Sequence, residues 1–381
     1  MNLPAGSAGA IVAVSDYARN FATYNLTISA NGSDKIGGQD GDATLNVNGQ
    51  AATFVYVDGT KGWVNVQNAE DTEQGQGFAA ATGGNTVLTV GDYKTHIFTG
   101  PGTFCVSQPG RVDYLVIAGG GAGGFDGGGG GGAGGFRLSN TLTGTAPSGI
   151  PAPTVGPLAA SCGLNLPATA YPITVGGGAT CKPSTGVAAN GSPSTFSSIT
   201  SAGGGGGSPG GPACRPAGNG GSGGGTDRCG SSAPQTGTGN TPPVSPPQGN
   251  PGNFHTGAIG GGGGGADPSG AIPSPSGEGS GGAGSFVASP FIGPTAPSYG
   301  QSPSPLAPNG RYFSGGGSGG TNPSSVPGAA KVGGAGGGGN VGASGTANTG
   351  GGGGAGEAAG PIPQTGKSGG SGIVMIRYKF Q

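Results

Sequence analysis

The 381-residue chain carries 98 glycines and 33 prolines, only 8% charged residues and a formal net charge of −1. Glycine and proline make up roughly a third of it, where low complexity is the default expectation, yet the high net charge of disordered chains is missing. Collagen is excluded because glycine comes in runs such as 127–132 rather than at every third position. A near-neutral chain without Lys/Arg clusters has no electrostatic footprint for nucleic acid.

No apolar stretch reaches the length of a membrane-spanning helix, so no membrane insertion is expected. The opening Met-Asn-Leu-Pro-Ala-Gly lacks the basic and apolar regions of a signal peptide. Action outside a cell would then follow release by lysis or by a route that uses no such peptide.

Residues 1–85 read as a small β-sheet spacer module. The run 24–29 alternates and stops at Asn31-Gly32, and 43–47 alternates and stops at Asn48-Gly49. Thr53–Val57 and Trp63–Val66 flank Asp58-Gly-Thr-Lys-Gly62, a hairpin with a five-residue loop. Trp63, the only tryptophan, reads as a core anchor. Residues 67–84 look like a linker.

Residues 86–381 form the second expected domain, glycine-rich and framed by strands at 112–118 and 372–378. Before the first frame strand, 86–90, 93–98 and 102–106 carry the β-branched and aromatic residues of strands. Weaker candidates are 171–175 and 194–200. No segment reads as a convincing helix. The expected fold class is mostly β with a polyglycine-II-type helical bundle and essentially no α-helix.

The bundle expectation comes from the tracts at 203–207, 220–225, 260–265, 315–320, 333–339 and 350–356. Ordering glycine costs roughly 0.5–1 kcal/mol per residue more than alanine, so isolated tracts would stay flexible. Every glycine nevertheless keeps an unshielded N–H and C=O. An extended helix with three residues per turn points them outward, where neighbouring helices can satisfy them. Six or seven residues would span about 20 Å at 3.1 Å per residue.

Several motifs imitate chemistry. Asp113–Gly124 matches a strand followed by GxGxxG, but Phe125-Asp126 and another glycine run follow where a helix should begin. Gly220–Gly224 matches GxSxG, as glycine tracts do by chance. Thr365–Ser368 resembles the end of a P-loop, with Pro361 where glycine is needed. His96 and His255 are far apart with no carboxylate nearby, so no catalytic residue, metal or cofactor is assigned.

The cysteines 105, 162, 181, 214 and 229 form no CxxC. They read either as pairs 162/181 and 214/229 or as free buried thiols. Asn25, Asn31 and Asn190 occupy glycosylation sequons, relevant only in a eukaryotic secretory setting.

Aromatic and charged residues of the glycine-rich part gather between tracts. Phe254, His255, Phe291, Tyr299, Arg311, Tyr312 and Phe313 therefore serve as candidate receptor contacts, because loops on a rigid scaffold carry recognition. The competing reading is that they cap tracts or fill a small core.

Residues 24–66, with Asn-Leu-Thr-Ile-Ser-Ala-Asn-Gly-Ser and Tyr56–Trp63, resemble a β module of marine bacteriophage tail-fibre and other virion proteins. Residues 96–136, Tyr171–Gly178 and the closing Gly-Gly-Ser-Gly-Ile-Val-Met-Ile-Arg-Tyr378 resemble a phage glycine-rich fibre domain. The resemblance implies a virion adhesin, usually homotrimeric, that joins other tail proteins and binds a host surface glycan or outer-membrane component. A purely structural virion appendage or capsid fibre without receptor binding is the alternative. An ice-binding protein on polyglycine helices is a third, but lacks a Thr or Ala face at three-residue spacing.

Overall fold

The computed structural model describes residues 1–69, 78–139, 158–181, 186–211, 215–228, 235–254, 259–267, 279–288, 291, 299–301, 310–321, 331–358 and 364–380. Within them every named element is a strand. The chain divides into two compact units, Met1–Gln76 and Gly77–Gln381.

The first unit contains β1 (Ile11–Ser15), β2 (Leu26–Ile28), β3 (Ala43–Leu45), β4 (Ala51–Asp58) and β5 (Gly62–Ala69). β1, β4 and β5 form one antiparallel sheet, and β2 pairs with β3. Period-two alternation sends Ala52, Phe54 and Tyr56 of β4 inward. In the β4–β5 turn the Asp58 carboxylate accepts hydrogen bonds from the N–H groups of Thr60 and Lys61 at 2.8 and 2.7 Å. Gly62 closes that turn at φ 68°, where a side chain would be strained. Trp63 is fully buried, edge-on to Tyr56 at 5.6 Å, among Leu3, Ile28 and Leu45.

The second unit begins with β6 (Ala80–Thr82), β7 (Thr86–Val90), β8 (Tyr93–Phe98), β9 (Gly102–Gln108), β10 (Gly110–Ile117) and β11 (Phe136–Ser139). It continues through β12 (Ala159–Ala160), β13 (Leu164–Leu166), β14 (Ala170–Thr174), β15 (Ser194–Phe196), β16 (Ile199–Ser201), β17 (Ser285–Ala288), β18 (Gly310–Phe313) and β19 (Ile373–Lys379). The break between units precedes β6, not residue 86, because β6 pairs with β9.

One sheet runs β12-β11-β10-β19-β8-β7, and a second runs β16-β15-β14-β9-β6. β10 and β19 lie side by side with Asp113 opposite Arg377 and Ile117 opposite Ile373. Both are apolar without alternation because both faces are covered. Leu115, Ile117, Ile373 and Met375 pack with Phe136, Phe291 and Phe313 on one face. Tyr114, Val116, Val374, Ile376 and Tyr378 pack with Phe104, Ile173 and Phe196 on the other.

The glycine tracts are buried and bonded sideways to one another. In tract 118–124 the N–H groups of Ala118, Gly121 and Gly124 donate to Gly135, Gly132 and Gly129. Those of Gly119 and Ala122 donate to Ser192 and Ala189, and those of Gly120 and Gly123 to Gly370 and Lys367. Partners thus repeat at every third residue, in three directions.

Its carbonyls follow the same rule. Gly119 and Ala122 accept from Gly204 and Gly207, Gly121 and Gly124 from Gly353 and Gly356, and Gly120 from Ala179. Six neighbouring segments therefore surround this tract. Tract 128–135 is enclosed likewise: it donates to 202–208, 261–264 and 350–353, and accepts from 118–124, 222–225 and 317–320. The two central tracts share 202–208 and 350–356 as neighbours, as adjacent sites of a hexagonal array must.

Close approach is what glycine contributes here. A Cβ on Gly120, Gly123, Gly130 or Gly131 would overlap a neighbouring backbone carbonyl. One alanine of the central tract has room of its own: Ala122 meets Ala179 and Ala188 in a small apolar cluster.

Candidate functional site

The bundle has two distinguishable ends. β10 runs into tract 118–124, tract 128–135 runs into β11, and tract 366–372 runs into β19, so the strands mark the proximal end. The other end is reached at Phe125–Gly128, where the two central tracts turn back with Asp126 at φ 49° and Gly127 at φ 70°.

The receptor candidates separate between these ends. Phe254 is 59% exposed. It follows Asn253, which bonds to Thr226 and Gly262, and in the latter tract Gly260 donates to Gly320, which donates to the distal Gly128. His255 lies outside the described residues. The others are proximal: Phe313 ends β18, and the next residue, Ser314, donates to Thr349.

Phe291 and Phe313 are 1% and 0% exposed, packed against Leu115, Ile117 and Phe136 in the strand core. Neither is open to a receptor, which corrects their assignment. Burying a phenylalanine is worth about 1.5–3 kcal/mol, and these two anchor the bundle to the sheet. Tyr299 packs half-buried on the same cluster.

Arg311 is half-buried and donates through Nε to the Tyr299 carbonyl and through Nη2 to that of Gly300, both at 2.9 Å. Tyr312 meets Phe286 at 6.2 Å across the β17–β18 pair. The set assigned to one surface thus separates into a distal phenylalanine and a proximal group with structural duties.

Another proximal loop is fixed by amides rather than rings. Gln248 is fully buried; its Oε1 accepts from Ala202 and its Nε2 donates to the Pro242 carbonyl, both at 2.8 Å. Asn240 Oδ1 accepts from the N–H groups of Val244 and Gln248.

The imitation motifs can be examined directly. All six N–H groups of Gly119–Gly124 are used by neighbouring tracts, leaving none for a phosphate. Ser222 is fully buried, and Lys367 lends its backbone to the array by donating to Gly354. Cys105, Cys162 and Cys181 are free and exposed, so the 162/181 pair is not formed and these thiols are not buried. Cys214 and Cys229 lie outside the described residues.

His96 is buried at the junction of the two sheets. Its Nδ1 lies 2.7 Å from the Gly83 carbonyl and its Nε2 3.1 Å from the Tyr378 hydroxyl, with the two rings stacked. Burial pushes its pKa below 6.5, the Gly83 bond opposes this, and Lys94 adds to it. The folded chain therefore holds His96 neutral, whereas the unfolded chain protonates it near pH 6.5. This contribution to stability is complete above that pH and is lost as pH falls through the lower folded value. The urea midpoint should drop between pH 7.5 and 5, and His96→Gln should lessen the drop.

This is an all-β protein whose larger unit is a hydrogen-bonded array of glycine tracts sealed by strands. The chain belongs to the glycine-rich domain family, whose model matches residues 98–379. A search of curated proteins gives no significant match.

Proposed function

We propose that the chain is a receptor-binding fibre component of a bacteriophage virion, released from the host by lysis. In this reading the tracts are polyglycine-II-type helices and the first unit is a spacer. Three chains associate, joined to other tail proteins, and distal loops meet a glycan or outer-membrane component of the host. The observation that carries it is the array itself. Its cohesion comes from backbone bonds, each worth about 0.5–1.5 kcal/mol net, so an exposed side chain such as that of Phe254 is not needed to hold it together and can serve recognition. A three-residue bonding period supports the helix type.

Phe254 is the residue on which the adhesin reading is tested. Fluorescently labelled protein should adsorb to sensitive cells within a panel of bacterial isolates, and Phe254→Ser should cut that adsorption at least tenfold without shifting the melting temperature. Unchanged adsorption would remove the distal loop from the reading. Light scattering should give about three times 35.3 kDa. A monomer would argue for a tip protein seated on another fibre. The alternative of an appendage without a receptor draws support from the burial of Phe291 and Phe313.

A further inference from the structure

Away from the distal loops, the surface is hollowed at the seam where β6 and β9 meet β8 and β19. The hollow is a groove of about 430 Å³, within the size range of small-ligand sites. Its floor includes Tyr378, whose hydroxyl accepts from the Ala81 N–H at 3.1 Å, lies 3.2 Å from the Ala81 carbonyl and donates to Nε2 of the neutral His96 at 3.1 Å. His96 holds the same hydroxyl from below. The floor is thus rigid before any ligand arrives.

The walls combine flat apolar faces with cations. Phe78 is 48% exposed, and Phe380 is half-buried. The Lys94 ammonium lies 4.4 Å from the centre of the Phe380 ring, and that of Lys379 lies 5.4 Å from the centre of the Phe78 ring. Asp92 sits 3.6 Å from Lys379. Among the described residues Lys94 has no carboxylate partner, so cationic groups outnumber carboxylates around the groove there. Gln108 adds an amide to the lining.

We propose that this groove binds a carboxylated saccharide. The C–H faces of a sugar ring fit the exposed phenyl faces, its hydroxyls fit Gln108 and the backbone of Ala80–Thr82, and its carboxylate takes the ammonium groups. A neutral sugar would leave Lys94 unanswered. A purely apolar ligand would be placed against two desolvated cations, which is costly. The inference extends the adhesin reading to a second, proximal site and does not depend on Phe254.

Isothermal titration with trigalacturonate and with its uncharged methyl ester tests it on the full chain. Trigalacturonate should bind saturably, more weakly as salt rises, and the ester at least tenfold more weakly. The double variant Lys94→Gln/Lys379→Gln should bring the acid down to the ester's affinity, and Phe78→Ser should weaken both. All three positions reach the surface, and an unchanged circular-dichroism melt verifies folding.

Absence of saturable binding by the wild-type chain overturns the proposal, as does equal binding of acid and ester that the double variant leaves untouched. Phe254→Ser should retain full trigalacturonate affinity. Loss of cell adsorption in that variant and loss of saccharide binding in the lysine variant therefore report on separate sites.

Discussion

Gly131→Ala should strongly destabilise the second unit, while Gly177→Ala should leave it essentially unchanged. Both residues lie in glycine runs, and both substitutions add one methyl group. At Gly131 that methyl would occupy the space of the Gly121 carbonyl. The N–H of Gly131 is meanwhile held by Gly353 and its carbonyl by Gly317. No side chain can yield, so two central tracts must separate and their bonds fail together. A loss above about 4 kcal/mol is expected, at the upper end of single substitutions. At Gly177 an added Cβ meets nothing within 4 Å. A shift within about 0.5 kcal/mol is expected there. Thermal melts by circular dichroism compare the two, and equal stability would mean that the array is not close-packed in solution.

Asp113→Ala should cost about 3–5 kcal/mol, more than a hydrogen bond alone would predict. Asp113 is fully buried and stands opposite Arg377, which is 8% exposed. Ser139 donates to its carboxylate at 2.9 Å and accepts from the Tyr114 N–H at 3.0 Å. Burial pushes the Arg377 guanidinium down from its usual pKa, while Tyr93 and Asp113 pull it back. Removing the carboxylate leaves a buried cation set against the face of Tyr93, 4.0 Å away. The double variant Asp113→Ala/Arg377→Met should lose less than the two single variants combined, because no charge is then stranded. Urea unfolding measures this, and strict additivity would refute the coupling.

The strands were legible where period or apolar density is strong. Thr53–Val57 and Trp63–Val66 declare themselves by alternation around a turn-forming loop, and β10 and β19 by the dense apolar runs Tyr114–Ile117 and Ile373–Ile376. β11, β17 and β18 were not legible: four residues such as Gly-Arg-Tyr-Phe carry no period, and they become strands only because a partner lies beside them. For the same reason Phe291 and Phe313 read as loop aromatics. Nothing nearby in sequence announces that Leu115 and Ile117 cover them. The groove was invisible for a related reason, since Phe78, Lys94 and Tyr378 come from distant parts of the chain. The three-residue bonding period follows from glycine chemistry, but which tract neighbours which does not, because glycine runs are interchangeable as sequence.

Tract 118–124 takes its partners from residues as distant as 353–370, and its parent strand β10 pairs with β19. During synthesis, then, the first glycine run emerges more than two hundred residues before the segments that complete its surroundings. Its N–H and C=O groups must remain hydrated over that interval. Loop closure on this scale precedes any reward from contact. The second unit is therefore expected to assemble late and in one step after residues 366–379 leave the ribosome, with the separate first unit already free to fold.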